Sequence, residues 1–166
     1  MNQPDEAAVV AAQLGRVPRG LRAIAHRCPC GNPDVVETAP RLEDGTPFPT
    51  LYYLTCPRAA AAVSKLEAAG MMREMTVRLA DDALRQRYEA AHRDYLARRE
   101  VAARTAGVEP LPSGSQSAGG MRGRVKCLDA LVAHELAADG VNPFGREVLD
   151  AVGEWWQPGP CVPEKA

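Results

Sequence analysis

Aromatic residues make up only 5% of this 166-residue chain, and lysine occurs only at Lys65, Lys126 and Lys165. A core so poor in rings is built from alanine and leucine, which favours helices. The formal net charge is −1, which excludes bulk electrostatic binding to nucleic acid or to an anionic membrane surface. No run of 18 apolar residues exists, so nothing reads as a membrane span. The opening MNQPDEAAVVAAQLG carries Asp5 and Glu6 and lacks a basic n-region, so it does not read as a secretory signal. The expected compartment is the cytosol, where thiols stay reduced. Zinc-finger spacing is missing too, since no C-x2-C or H-x3-H pair occurs.

What is present suits one domain, residues 1–156, with a flexible loop at 105–120 and a disordered tail at 157–166. Residues 5–14 read as a helix with acids in its first turn. Three short strands are expected at 21–27, 34–38 and 50–55, the last being the aromatic and β-branched TLYYLT. Helices are expected at 57–69, 71–79 and from Asp81 or Asp82 to about Arg104. Leu84, Tyr88, Ala91 and Tyr95 share one face of that third helix. Two more helices are expected at 124–138 and from Asn142-Pro143 to about Trp156. The fold class is α+β: a small antiparallel sheet at about 20–55 packed against a mainly helical remainder.

The chemistry concentrates in the cysteines. Cys28 and Cys30 lie in a turn, Cys56 at a strand-to-helix junction, and Cys127 at a helix start. Arg27, Arg58 and Lys126 stand beside Cys28, Cys56 and Cys127. Cations and helix N-termini favour the thiolate, the form that binds metal or attacks. His134 follows Cys127 by two helical turns and so shares its face. Cys28, Cys56, Cys127 and His134 are the expected metal ligands, with Cys30 and Asp129 as additional candidates. An iron–sulfur cluster or zinc is the implied cofactor if the thiols converge; buried, inert cysteines are the alternative. Cys161 falls in the expected tail and is left aside.

A second feature is anionic recognition. The segment GGMRGRVKC at 119–127 places glycines and cations before a helix start, where free N–H groups bind anions. It lacks the order of a P-loop. Arg27, Arg122, Arg124 and Lys126 are the candidate anion-binding residues. His26 and His92 read as solvated or core-edge histidines.

The strings RCPCGNP, ETAPRLEDGTPFPTLYYLTCP, KLEAAG, GGMRGRVKCLDALVAHELA and NPFG resemble the bacterial domain of unknown function family 501, over about residues 14–150. The resemblance maps family motifs onto Cys28, the Pro47–Pro57 string with Cys56, and Lys126-Cys127 with His134. Family genes often neighbour a small septum-formation initiator and an exopolyphosphatase. This implies a partner in the cell-division or envelope machinery. The family commonly carries histidine where Asp129 stands here, which would put an oxygen at that position. Three functions follow as expectations. One is a metal or iron–sulfur protein. A second is a non-enzymatic interaction module presenting the Leu84–Tyr95 face or the 105–120 loop. The third is a thiol-dependent enzyme that binds a phosphorylated or acidic substrate at Gly119–Lys126.

Overall fold

The computed structural model describes residues 3–112, 120–121 and 123–162. Helix α1 (Gln3–Leu14) leads into β1 (Leu21–Arg27), β2 (Pro33–Thr38) and β3 (Tyr52–Leu54). These strands form an antiparallel sheet in the order β1-β2-β3. Helices α2 (Pro57–Ala68), α3 (Met71–Arg78) and α4 (Asp82–Ala106) follow. A short ribbon, β4 (Gly120–Met121) and β5 (Arg124–Val125), precedes α5 (Leu128–Ala138) and α6 (Pro143–Val152). The architecture is α+β, with the sheet inside the 20–55 stretch.

Local chemistry sets the boundaries. Pro57 and Pro143 open α2 and α6, where a missing N–H costs nothing. The Asn142 side chain caps α6 by accepting from Gly145 N–H at 2.9 Å. Gly153, at φ 65°, stops that helix before the tryptophans, short of the expected Trp156. The helix expected from Arg124 begins only at Leu128, because Arg124 and Val125 pair with Gly120 and Met121. Gly120 and Gly123 suit such a tight ribbon.

Helix α5 is the hub. Ala130 through Glu135 are all buried. The sheet strand β3 covers one side, and α6 and α2 cover the others. Phe144, Leu131, Val132, Val148, Tyr88, Val63 and Met75 make one core, while Val35, Leu51, Tyr52, Tyr95 and Ala133 make a second against the sheet. Phe144 is 0% exposed, and burying a ring of that size contributes about 2–3 kcal/mol. Leu84, Tyr88, Ala91 and Tyr95 all face inward. The face expected to greet a partner is therefore spent on the core.

Described residues beyond α6 also contact the body of the fold. Trp155 packs on the first core cluster. The Pro160 carbonyl accepts from Arg58 Nη2 at 3.4 Å. Residues 163–166, and 113–119 of the expected 105–120 loop, lie outside the described residues.

Candidate functional site

The turn between β1 and β2 is closed by two backbone bonds. Cys28 N–H donates to Asn32 O at 2.9 Å, and Gly31 N–H donates to Cys28 O at 2.8 Å. Gly31 sits at φ 95°, a backbone that other residues rarely adopt. The turn folds Cys30 back so that its N–H meets Cys28 Sγ at 3.5 Å. Cys56 is fully buried where β3 hands over to α2. Cys161 arrives from the C-terminal segment. Gln13 Nε2 donates to its sulfur at 3.2 Å and to Pro33 O at 2.7 Å, and Asn32 Nδ2 approaches the sulfur at 3.8 Å.

These four thiols are neighbours. Each feels another electrostatically: Cys30 responds to Cys28 and Cys161, Cys56 to Cys161, and Cys28 to Cys30 and Cys56. All four are free thiols. Burial pushes the Cys28 thiol up to about 12 and the Cys56 thiol up to about 11. At Cys56 the N–H groups of Ala59 and Arg58 pull the other way, toward the thiolate. Burial also raises Cys30, but the Asn32 N–H and the Cys28 and Cys161 contacts outweigh it and lower the thiol. Neutral thiols can share such a corner; several thiolates cannot without a cation among them.

The corner is also short of hydrogen-bond partners. Among the described residues, six buried side-chain polar atoms have none. Four of them are Gln13 Oε1, Asp34 Oδ2, Thr55 Oγ1 and Arg58 Nε. Gln13 holds Cys161, Thr55 N–H donates to Asp34 O beside the turn, and Thr55 and Arg58 flank Cys56-Pro57. Buried polar groups are otherwise satisfied in folded proteins, so a clustering of exceptions asks for a missing ion, water or ligand.

Cys127 stands elsewhere. It caps α5 in extended conformation, and its charged neighbours are Asp129 and Glu67. Glu67 lies near the far end of α2 from Cys56, about 16 Å along the helix axis. The expected convergence of Cys28, Cys56 and Cys127 is thus divided by the length of α2. Burial first, then the Asp129 and Glu67 charges, raises the Cys127 thiol. This works against a thiolate nucleophile there. Asp129 is itself raised to about 6 by burial and by Glu67, and its Oδ1 has no partner.

His134 is not free to bind a metal either. Asn142 Oδ1 is taken by Gly145 N–H, so its Nδ2 faces His134 Nδ1 as donor at 3.2 Å. That leaves the His134 proton on Nε2, donated to Asp94 Oδ2 at 2.8 Å. Both ring nitrogens are engaged. Burial lowers the His134 pKa against the pull of Asp94, so the ring is held neutral. Asp94 in turn accepts from Arg98 Nε at 2.7 Å. It lines a cleft of about 340 Å3 with Arg22, Glu37, Tyr52 and Arg98.

The expected anion-binding set is dispersed. Arg27 is paired with Glu6 and reaches Gly31 O. Arg124 and Lys126 are exposed on or just after β5. Arg122 and Gly119 lie outside the described residues. His26 Nδ1 bonds Asp34 Oδ1 at 2.8 Å, which raises its pKa. His92 borders a small pocket with Tyr88, Tyr95 and His134. Sequence reasoning missed Cys161 and Gln13, which no local pattern marks, and the Asp94–Arg98 pair, whose i,i+4 spacing was a visible signal.

Among the described residues, no group of three or more His, Cys, Asp or Glu side chains is placed to hold a metal ion. None of the described helices is long and apolar enough to cross a membrane. Over residues 24–150 the chain matches the family described as Protein of unknown function (DUF501). No curated protein and no solved structure matches it.

Proposed function

The chain belongs to the DUF501 family, and we propose that this member binds one zinc ion through the thiolates of Cys28, Cys30 and Cys56. The observation that carries the reading is the meeting of these thiols at one buried corner. The β1–β2 turn and the start of α2 fix their backbones, so the ligands are presented by rigid elements. Three thiolates with a position left over for a fourth ligand suit a single zinc ion. Binding would turn the thiols from one another onto the ion and release their protons, which offsets the cost of burying thiolates. The N–H groups of Cys30, Arg58, Ala59 and Asn32 would then donate to negatively charged sulfur.

The test is metal analysis of protein purified anaerobically with reductant. About one zinc per chain is expected, and it disappears in Cys56→Ser but persists in Cys127→Ser. Brown protein with iron and absorbance near 400 nm replaces zinc with an iron–sulfur cluster. Protein free of both metals refutes the reading.

A further inference from the structure

We infer that the cleft between α4 and the sheet binds a small zwitterion of the amino-acid type, its carboxylate gripped by Arg22 and Arg98 and its ammonium group by Glu37. No cysteine lines this cleft, so it stands apart from the zinc reading.

The cleft has two built walls. Along α4, Asp94, Arg98, Ala102 and Thr105 recur at helical spacing and share one face. The sheet offers one residue from each strand: Arg22 from β1, Glu37 from β2 and Tyr52 from β3. Glu37 pairs with Tyr52 on one side and with Ala23 on the other. Val35 lies two residues before Glu37, on the same face of β2, and there it packs in the core with Tyr52 and Leu54. A carboxylate at Glu37 breaks that apolar pattern where the cleft begins. Arg22 is placed by a second irregularity. Leu21 faces Thr38 and Ala23 faces Glu37, so two residues of β1 span one step of β2 and Arg22 is the extra one. Bulges re-aim side chains beside binding sites. Here the Arg22 guanidinium reaches α4 and donates from Nη1 to Ala102 O at 2.5 Å.

Both guanidinium groups are thus anchored before any ligand arrives. Arg98 Nε donates to Asp94 Oδ2 at 2.7 Å, and the same oxygen is held by His134 Nε2 at 2.8 Å. Ala102 lies one turn after Arg98, so the two anchors are about 6 Å apart along the helix axis. A guanidinium has more N–H donors than these anchors use, and its planar fork matches a carboxylate. Charge then decides the ligand class. Asp94 and Arg98 offset each other. Arg22 and Glu37 leave one charge of each sign, and among the described residues no ion pair joins Glu37 to an arginine. A phosphate would face two carboxylates, whereas a zwitterion is matched at both ends. Ala97 and Val101 give its side chain an apolar floor, and about 340 Å3 suits a ligand of this size.

The experiment is calorimetric titration of the full chain with each standard L-amino acid. The tightest binder is then compared with its N-acetyl derivative, its decarboxylated amine and inorganic phosphate. At least one amino acid should bind more tightly than about 1 mM, and removing either charge should weaken it about tenfold or more. Arg22→Gln should weaken the amino acid and its N-acetyl derivative alike. Glu37→Gln should weaken the amino acid and leave the N-acetyl derivative unchanged, a lost preference that a folding defect does not produce. The inference is overturned if no amino acid binds more tightly than about 1 mM. It is overturned equally if the N-acetyl derivative or phosphate binds as well as the amino acid, or if Glu37→Gln keeps the preference. The wild-type titrations decide the first two of these outcomes even if a variant folds poorly.

Discussion

Two polar regions lie in the interior, and they differ in one respect. Around the α5–α6 turn the buried side chains of His134, Glu135 and Asn142 all have partners. Glu135, 0% exposed, accepts from Gly140, Val141 and Asn142 N–H at 2.7–2.9 Å and from Arg146 Nε at 3.2 Å. His134, Asn142 and Asp94 complete a closed chain of donors and acceptors. At the thiol corner Gln13, Asp34, Thr55 and Arg58 each keep a buried atom unpartnered. A satisfied network rigidifies a fold; an unsatisfied one waits for something. By that contrast His134, the residue with the more conspicuous chemistry, is architecture, and the plain cysteines are the proposed site.

The contrast can be broken in several ways. The largest effect should come from zinc. Free zinc at a thousandfold its Kd should stabilise the wild type by about 4 kcal/mol, read as a rise in Tm that Cys56→Ser abolishes. An unchanged Tm removes the distinction between the two regions. Next, Gly145→Ala should cost about 3 kcal/mol in chemical unfolding, equally with and without zinc. A Cβ there would overlap Leu131 O and stand 2.7 Å from Glu135 Cβ, so α5 and α6 must part. A zinc-dependent cost would mean that the regions are coupled.

A smaller effect is expected at Asp129, which belongs to neither region. Its pKa is raised from 3.8 to about 6, so the folded state holds the proton more tightly than the unfolded one. Its charge therefore destabilises the protein as pH rises through that window. Asp129→Asn should stabilise by about 1 kcal/mol at pH 7, and the gain should vanish below pH 4. A constant gain at all pH values would implicate packing instead of charge. The subtlest effect concerns His134. Its folded pKa lies below the usual 6.5, so the unfolded chain binds more protons as pH falls through 6.5. Stability should be present above that pH and lost below it. The wild type should show this loss, and His134→Gln should not.

Much of the fold was legible. TLYYLT marks β3, and Pro57, Gly70 and Asn142-Pro143 mark helix ends, because strand composition and capping act over a few residues. The Leu84–Tyr95 stripe also read correctly as one face. What it faced did not, since an inward and a partner-docking stripe share one period. The site was legible in half. Cys28 and Cys56 were recognisable from their turn and helix-start positions. Cys127 has the same local signature, and only the length of α2 separates it from them. Cys161 is seated by Gln13, 148 residues away, and His134 by Asp94, 40 residues away. Such pairings arise from tertiary packing and leave no local trace.

The central claim is that the corner thiols, and not Cys127 with His134, form the metal site. Cobalt substitution tests it most directly, because thiolate ligation and tetrahedral geometry both appear in the absorption spectrum. We predict intense near-ultraviolet thiolate-to-cobalt bands saturating at about one cobalt per chain. They should be lost in Cys28→Ser and Cys56→Ser and unchanged in Cys127→Ser and His134→Gln. Bands that survive the first pair and vanish in the second would contradict the account.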